Sequence, residues 1–323
     1  MTKIFVTARL IEADRQLLEQ HAELEYGGWG YEGRKLTTDE LIERAQGADV
    51  LVVEYEDVDG KVLDGLPTVK YVCCTRGGME SIDVPAVIER GVALSNTPGR
   101  NAVAVAELTV GLMLAVARFI PQTHHYIVSQ DWERAVWDIA GNTPVKRYAG
   151  LELQGATVGM LGYGAIAQQV AQRLSGFGVS LRVYDPYYRG DDVTTEDLEA
   201  VLAASDFVSL HCKLTPETES IINSRSLDMM KPTAYLVNTA RGALVDEDAL
   251  FEALQQKRIA GAALDVLREE PIDPTHPLLQ LENVVLTPHI GGASTGILRH
   301  QSAMATTDVL NFMRARELVH AVV

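Results

Sequence analysis

Three stretches in the second half of the chain, VNTARGALVDEDAL, AALDVLREEP and VVLTPHIGGAS, carry residues that could bind an anion and move a proton. Arg241, Glu270 and His289 each lie just past the carboxyl end of a predicted strand, the edge where ligands bind in open α/β sheets. Taken singly, the arginine could cap a turn, the glutamate could be a surface acid beside Pro271, and the histidine could be a satisfied loop residue. Their joint placement favours one common site.

These side-chain types suit hydride chemistry at a carbinol carbon. A hydride that leaves or joins such a carbon needs a partner for the hydroxyl proton, and a histidine, which titrates near neutral pH, can be that partner. We therefore interpret His289 as the general acid/base. A carboxylate on its other ring nitrogen, the role given to Glu270, fixes the tautomer and stabilises the imidazolium. The planar guanidinium group of Arg241 can bind a carboxylate through two parallel hydrogen bonds and polarise an adjacent carbonyl.

The stretch VGMLGYGAIAQQVAQRL has the spacing of a dinucleotide-binding turn. Gly162 makes the turn after a strand, Gly164 lets the backbone approach a pyrophosphate, and the small Ala167 lets helix and strand pack closely. A helix N-terminus then faces the phosphates. A lone match of this kind often marks only a tight turn, so the acid on the next strand matters.

Asp185 ends the following predicted strand, VSLRVYD, 21 residues after Gly164. A carboxylate at this place can accept both hydroxyls of the adenosine ribose. It would repel a 2'-phosphate, so the sequence favours NAD over NADP. Arg189 is close enough in sequence to leave NADP open.

The elements that position these residues come in two alternating sets of strands and helices. Short apolar runs at 3–8, 49–54, 69–74 and 92–95 predict buried strands of a first parallel sheet. A second alternating set begins near residue 155 and ends with NVVLTPH and a helix over about 293–316. The fold class expected is α/β, with two doubly wound parallel-sheet domains, a flavodoxin-like substrate domain and a Rossmann domain, around a cleft. The predicted bounds are 1–99 with 291–323 for the substrate domain and 100–290 for the NAD-binding domain.

Composition and charge exclude several classes of function. The 323 residues carry a formal net charge of −16, which opposes nucleic-acid binding, although adaptation to salt is an alternative reason for the acidity. The N-terminus lacks the long apolar run of a signal peptide. The apolar segment from Ala102 to Ala117 is about 16 residues, short of the roughly 20 that cross a bilayer, and we expect a buried helix between domains. A cytoplasmic protein without membrane or nucleic-acid partners is expected.

Cysteine and histidine usage predicts neither a disulfide framework nor a metal site. The cysteines are Cys73, Cys74 and Cys212, and the first two are neighbours in an apolar run. A reducing compartment fits them best. The adjacent His124 and His125 diverge if they lie on a helix.

On these motifs the chain resembles the D-isomer-specific 2-hydroxyacid dehydrogenase family, which includes phosphoglycerate, glyoxylate/hydroxypyruvate, D-lactate, phosphite and formate dehydrogenases. The likeness covers nearly the whole chain, most tightly residues 97–115 and 155–293. It implies that Arg241, Glu270 and His289 are catalytic. Formate dehydrogenases have glutamine where Glu270 stands, so that activity is disfavoured.

The resemblance also implies contacts with the NAD cofactor. Ala165 and Ile166 would hold the phosphates, Asp185 the ribose, Cys212 and Thr239 the adenosine side, and Asp265 would lie near the nicotinamide amide. Lys213 stands where the family has proline, which leaves the detail of that adenosine wall open.

Residues 120–150 correspond to a dimerisation arm in the family, which implies a homodimer. Trp132 and Trp137 would then be interface or pocket residues, although core aromatics are an equal alternative.

The stretch CCTRGGMESID is similar to the family's glycine-rich loop, whose amides hold the substrate carboxylate. Aligned on Ile82 and Asp83, Arg76 replaces the first glycine, Gly77 replaces a branched residue and Gly78 matches the second glycine. We interpret this loop, with Arg100 nearby, as a roomier and more basic pocket for a substrate longer or more polar than pyruvate. An unchanged substrate preference in Gly77→Val would refute that interpretation. The alternative is that Arg76 points to solvent.

The sequence therefore predicts an NAD-dependent oxidoreductase that interconverts a D-2-hydroxy acid and its 2-oxo acid, of the phosphoglycerate or hydroxypyruvate/glyoxylate type. An NAD-sensing, corepressor-like scaffold of the same fold is the alternative.

Overall fold

The computed structural model describes residues 1–129 and 144–323, which form two compact units. Unit 1 comprises Met1–Asn101 and Ser294–Val323, and unit 2 comprises Ala102–Ala293. The functional labels that the sequence attaches to these two parts of the chain remain predictions.

Unit 1 is built on a five-stranded parallel sheet. Its strands are β1 (Thr2–Val6), β2 (Ala22–Tyr26), β3 (Val50–Val53), β4 (Tyr71–Cys74) and β5 (Ala93–Ser95), and their helices are α1 (Glu12–Glu19), α2 (Trp29–Glu32), α3 (Thr38–Arg44), α4 (Gly60–Gly65) and α5 (Val84–Glu89). The order β2-β1-β3-β4-β5 is the flavodoxin-like one, as predicted. Strand β2 was not predicted, because AELEY has acids at every second position and buries only Ala22.

Unit 2 is built on a six-stranded parallel sheet of order β11-β10-β9-β8-β6-β7. The chain order reverses between β6 and β8, which opens a crevice at the carboxyl ends of these strands. Its helices are α6 (Ala102–Ala117), α7 (Ile120–Val128), α8 (Pro144–Arg147), α9 (Ala165–Leu174), α10 (Leu198–Ala204), α11 (Ser224–Met229) and α12 (Glu247–Gln255), and its strands are β6 (Thr157–Leu161), β7 (Ser180–Tyr184), β8 (Phe207–Leu210), β9 (Tyr235–Asn238), β10 (Gly261–Leu264) and β11 (Val284–Leu286).

Helix α6 is a core helix of unit 2. Ala106, Val110 and Met113 are buried in the same apolar cluster as Val158 of β6 and Ala167 of α9. Within the residues described, no single helix is long and apolar enough to span a membrane. Only α6 and α7 taken together reach that length, and they are bent by 62°.

The last helix, α13 (Gly296–Met313), completes the core of unit 1. Its residues Ala305 and Val309 are buried in one cluster with Ile4 of β1 and Tyr71 of β4. The Phe312 ring stacks on Tyr71 with centroids 4.7 Å apart. Both ends of the chain therefore contribute to the same unit.

Candidate active site

The centre of the candidate site is a hydrogen-bonded histidine and glutamate at the carboxyl edge of the unit 2 sheet. His289 Nδ1 lies 2.7 Å from Glu270 Oε2, and the other carboxylate oxygen accepts a hydrogen bond from the amide of Leu267 at 3.0 Å. Relative exposures of 51% for the His289 side chain and 37% for that of Glu270 leave both open to solvent. With Nδ1 held by the carboxylate, Nε2 is left to act on a substrate.

Glu270 is held in its ionised form. Partial burial raises the pKa of this carboxyl, but the hydrogen bonds from His289 and Leu267, with the charges of His289 and Arg241, outweigh it and keep the pKa below its ordinary value. An ionised Glu270 can stabilise an imidazolium ring beside it.

Arg241 lies in the same neighbourhood, in the loop that follows β9. The buried Asn238 shapes this loop, since its Nδ2 donates to the Arg241 carbonyl at 2.9 Å and its Oδ1 accepts from the Ala240 amide at 3.0 Å. The exposed guanidinium donates to the Ala240 carbonyl and acts electrostatically on Glu270. Three consecutive strands, β9, β10 and β11, thus deliver the three predicted residues to one edge.

The loop that carries His289 is tied down by Asp265, whose side chain is only 2% exposed. This carboxylate accepts hydrogen bonds from Thr287 Oγ1 at 2.6 Å, the Ile290 amide at 2.9 Å and the Gly291 amide at 2.7 Å. The Asp265 carbonyl accepts from the His289 amide at 2.8 Å. The family resemblance implies a place for Asp265 near the nicotinamide amide, which stays a prediction, and no local motif in the sequence indicates this anchoring role.

The glycine turn after β6 has the geometry that a nucleotide loop needs. Gly162 has a φ of 93°, and a Cβ there would lie 2.6 Å from the Cys212 amide nitrogen, so only glycine fits. At Gly164 a Cβ would meet nothing within 4 Å. The first hydrogen bond of α9 runs from the Gln168 amide to the Gly164 carbonyl, so the amides of Ala165 and Ile166 point out of the helix end.

Asp185 follows β7 beside this turn. One carboxylate oxygen accepts from the Tyr163 amide at 2.8 Å, and the other accepts from the amides of Tyr187 at 2.9 Å and Tyr188 at 3.0 Å. The acid therefore joins the glycine turn to the loop after β7, and its partly exposed oxygens keep lone pairs for a ligand.

Cys212 and Thr239 follow β8 and β9 at the same edge. Burial raises the pKa of the Cys212 thiol to about 11, so this residue presents a neutral, apolar surface. The buried Thr239 hydroxyl lies 2.8 Å from that of Thr109, which donates to the Val105 carbonyl.

In unit 1, the carbonyls of two residues in the loop after β4 accept hydrogen bonds from neighbouring residues. The Arg76 carbonyl accepts from the Thr97 amide at 3.1 Å, and the Gly77 carbonyl accepts from Asn96 Nδ2 at 2.9 Å. Among residues 1–129 and 144–323, no acceptor takes the amides of Gly77 or Gly78. Such a loop can bind an anion through its N–H groups.

The two arginines beside this loop are placed differently. The Arg76 guanidinium lies over the Tyr55 ring, 4.8 Å from its centroid, so the side chain packs on the protein surface. Arg100 turns inward, where its Nη1 donates to the Thr75 carbonyl at 2.7 Å and to Glu54 at 3.1 Å, and also contacts Gln301.

The adjacent cysteines of this stretch end β4 and are buried. Burial raises the pKa of Cys73 to about 12 and also raises that of Cys74, so neither is a thiolate at neutral pH. Within the described parts of the chain, no cluster of three or more His, Cys, Asp or Glu side chains is arranged to hold a metal ion.

A cavity of about 980 Å³ lies at the opposite edge of the unit 2 sheet, near the amino ends of β9, β10 and β11. Phe119, Tyr126 and Tyr148 line it together with Lys257 and Asn283. This cavity is therefore separate from the edge that carries His289. Trp132 and Trp137 lie outside the described residues.

A glycine turn at the crossover of a parallel sheet, with a hydrogen-bonded histidine and glutamate at the same edge, defines the class of nicotinamide-dependent dehydrogenases. Residues 110–291 match the family model described as D-isomer specific 2-hydroxyacid dehydrogenase, NAD binding domain. The chain belongs to the D-isomer-specific 2-hydroxyacid dehydrogenase family. The predicted family, fold class and NAD cofactor are thereby confirmed.

Individual relatives agree with this assignment. The chain is 37% identical, over its whole length, to a D-3-phosphoglycerate dehydrogenase of Methanocaldococcus jannaschii, of which it spans 59%. It is 39% identical to a glyoxylate reductase of Thermofilum pendens, with 85% of this chain and 81% of the relative covered. The NAD-complexed D-isomer specific 2-hydroxyacid dehydrogenase of Lactobacillus delbrueckii ssp. bulgaricus superimposes with a TM-score of 0.82 at 26% identity, with both chains fully covered.

Proposed function

We propose that this protein is an NAD-dependent oxidoreductase that interconverts a D-2-hydroxy acid and its 2-oxo acid. The observation that carries the proposal is the 2.7 Å contact between His289 and the ionised Glu270 at the sheet edge that also holds the glycine turn. When bound, the nicotinamide supplies or accepts the hydride at C2 of the substrate. The remaining chemistry is proton transfer and charge stabilisation by the protein.

His289 is the general acid/base of this proposal. In the direction of 2-oxo acid reduction, its Nε2 gives a proton to the oxygen on C2, while Glu270 keeps the Nδ1 proton in place and stabilises the imidazolium that precedes the transfer. In the direction of oxidation, Nε2 takes the hydroxyl proton. Arg241 holds the substrate carboxylate and polarises the carbonyl as negative charge grows on its oxygen.

The residues at the crevice of the unit 2 sheet fit a dinucleotide. The open space at Gly164 admits a pyrophosphate, and the amides of Ala165 and Ile166 can bind it. Asp185 is assigned to the ribose hydroxyls, where its charge disfavours the 2'-phosphate of NADP. Gly162, Cys212, Thr239 and Asp265 complete the proposed cofactor site.

In unit 1, the amides of Gly77 and Gly78 form the proposed carboxylate cradle, with Arg76 beside it. Arg100 shapes this cradle from within, because it binds the Thr75 carbonyl that precedes the loop. The substrate is proposed to be of the phosphoglycerate or glyoxylate/hydroxypyruvate type, in keeping with the names of the two relatives above.

We further propose that the enzyme is a cytoplasmic homodimer. The free cysteines suit a reducing compartment. The family resemblance implies that residues 120–150 are a dimerisation arm. Analytical ultracentrifugation tests the assembly, and a sedimentation coefficient of a monomer at micromolar concentration would contradict it.

The test of the activity is a reduction screen followed at the absorbance band of reduced nicotinamide. Glyoxylate, hydroxypyruvate, 3-phosphohydroxypyruvate and pyruvate are each offered with NADH and with NADPH. We expect turnover with NADH that His289→Asn lowers by at least about 100-fold, since the general acid is lost. The exposed His21 provides the control variant His21→Asn, which should leave the rate unchanged. Tight NADH binding without turnover of any acid would instead favour the scaffold alternative.

A further inference from the structure

The contacts of the loop that carries Glu270 point to a further residue needed for proton transfer, and we propose that Glu247 is a positioning residue for the Glu270 carboxylate. The inference rests on the proposed function, in which Glu270 stabilises the imidazolium form of His289. Glu247 lies at the start of helix α12 and acts on Glu270 through the backbone of the loop.

Glu247 bridges two points of one segment, residues 268–276. One carboxylate oxygen, Oε1, accepts a hydrogen bond from the Arg268 amide at 2.6 Å, and the other, Oε2, lies 3.3 Å from His276 Nε2. Because His276 Nδ1 accepts from the Leu278 amide at 3.3 Å, Nε2 carries the proton and donates to Glu247. The side chains of Glu247 and His276 are only 14% and 23% exposed, which limits competition from water.

The segment between these two points is closed on itself by a hydrogen-bonded turn. Asp273 Oδ1 accepts from the amide of Thr275 at 2.7 Å and from its hydroxyl at 2.6 Å, and the Asp273 carbonyl accepts from the His276 amide at 2.9 Å. Glu270 lies two residues after Arg268, one of the two points held. Because the segment is short and its turn is hydrogen-bonded, fixing its ends restricts the position of Glu270.

A close backbone contact adds a second constraint on the same loop. A Cβ on Gly242 would lie 1.9 Å from the Leu267 carbonyl carbon and 2.3 Å from the Arg268 nitrogen, so only glycine lets the loop after β9 approach so closely. The Leu267 amide donates to Glu270 Oε1 at 3.0 Å. The residue whose amide binds the Glu270 carboxylate is thus packed against the loop after β9, and the next amide along, that of Arg268, is the one that α12 holds.

The helix that carries Glu247 is itself firmly seated. Asp246 caps α12 by accepting from the Ala249 amide at 3.1 Å, and Leu250 and Leu254 are buried in the core of unit 2. Because Glu247 is the first residue of this capped and buried helix, its carboxylate has a defined position. The loop with the proposed proton-transfer glutamate is therefore anchored to the core of its unit.

The main test separates kcat from cofactor binding. Glu247→Ala removes both contacts, and we expect kcat for 2-oxo acid reduction to fall about 10- to 100-fold, an effect typical of a displaced catalytic group. The Kd of NADH should stay within about 2-fold, because the glycine turn and Asp185 follow other strands, β6 and β7. The exposed Glu252 on the same helix provides the control variant Glu252→Ala, which should keep the wild-type kcat. Equal losses of kcat in the two variants, or a loss in NADH binding alone, would overturn the inference.

A double substitution distinguishes positioning from a general loss of structure. If Glu247 acts through Glu270, Glu247→Ala should change kcat by less than about 2-fold when it is added to Glu270→Gln, because the carboxylate that it positions is already gone. A further loss of about 10-fold or more would show that the two residues act independently, which refutes the inference.

A milder variant, Glu247→Gln, keeps the test open if Glu247→Ala does not fold. It retains an acceptor for the Arg268 amide but places an N–H group against His276 Nε2. We expect kcat to fall by only about 2- to 10-fold, since one of the two contacts remains. A wild-type kcat in this variant would contradict the bridging role of Glu247.

Nuclear magnetic resonance measures the histidine and glutamate pair without turnover. In protein labelled with ¹⁵N-histidine, the ring nitrogen shifts of His289 report its hydrogen bond to Glu270 at a fixed pH, and His289→Asn assigns them. These shifts should change in Glu247→Ala in the same direction as in Glu270→Gln, and stay unchanged in Glu252→Ala. That result, in a protein that turns over no acid, supports the inference and refutes the proposed activity. Unchanged His289 shifts in Glu247→Ala refute the inference alone.

Discussion

His289 has a φ of 53°, a left-handed conformation that costs a residue with a side chain roughly 1–3 kcal/mol. Hydrogen bonds on both sides of its peptide offset this cost, from its own amide to the Asp265 carbonyl and from Ile290 and Gly291 to the Asp265 carboxylate. The strained backbone therefore aims the imidazole at Glu270 in a fixed geometry. The residue with the most demanding chemistry is also among those that the loop constrains most tightly.

Glu270→Gln tests the partnership directly. Proton donation needs the imidazolium, and the variant removes the negative charge that stabilises this ring. We expect kcat for 2-oxo acid reduction to fall about 10- to 100-fold. Because the pKa of Glu270 is held below its ordinary value, its own ionisation should not appear between pH 6 and 8.

The neighbouring Glu269 provides the matched control, since it is exposed and lies outside the contact with His289. Glu269→Gln should keep the wild-type kcat. If Glu270→Gln did so as well, the carboxylate would have no part in proton transfer.

The turn between β6 and α9 contains two glycines that are needed for different reasons. Gly162 faces the backbone of the loop after β8, and Gly164 faces open space. The first glycine is therefore needed by the fold and the second by the ligand.

The variants Gly162→Ala and Gly164→Ala separate the effect on stability from the effect on cofactor binding. The first places a Cβ 2.6 Å from the Cys212 nitrogen in a left-handed conformation, and we expect a loss of about 1–3 kcal/mol in the free energy of unfolding. Gly164 has a φ of −79°, which alanine can also adopt. The thermal midpoint of Gly164→Ala should therefore stay near that of the wild type, while NADH binding weakens. Thermal denaturation and NADH fluorescence titration are the measurements, and equal midpoints for both variants would contradict this division.

The loop after β11 gives a second prediction for an element. Asp265→Asn leaves one acceptor oxygen where two were used, and its amide group would face a backbone N–H. We expect the displaced His289 to lower kcat by about 10- to 100-fold, with a lower thermal midpoint. Asp248→Asn, at an exposed site on α12, is the control. An unchanged kcat in Asp265→Asn would show that the loop keeps its position without this anchor.

Sequence patterns located Gly162, Asp185 and the three catalytic candidates, because each is encoded by a local motif at the end of a strand. The same patterns do not show which distant side chains hold those residues in place. Asp265 reaches Gly291 across 26 positions, so no local spacing records this contact. The ion pair of Arg100 with Glu54 is equally hidden, because the two residues lie 46 positions apart.

At the scale of the whole molecule, unit 1 is discontinuous in sequence, since α13 supplies Ala305 and Val309 to a core whose strands all lie within residues 1–101. A core substitution at the end of the chain should therefore weaken strands near its beginning. Val309→Ala is expected to destabilise unit 1 by about 1–3 kcal/mol, and native-state hydrogen exchange of the β4 amides is the measurement.

Val319 is the matched control, because its side chain is 64% exposed. Val319→Ala should leave the exchange of β4 unchanged. If Val309→Ala also left β4 protected, α13 would not be part of the cooperative core of unit 1.

Because unit 1 is discontinuous, its two segments are synthesised at different times, with unit 2 between them. Strands β1 to β5 are synthesised before unit 2, but the helix that covers Ile4 and Tyr71 follows only after all 192 residues of unit 2 from Ala102 to Ala293. At roughly 5–20 residues per second, that delay lasts roughly 10–40 s. Unit 1 is thus begun before unit 2 and finished after it, and for that interval one apolar face of its sheet is a surface that a chaperone could recognise.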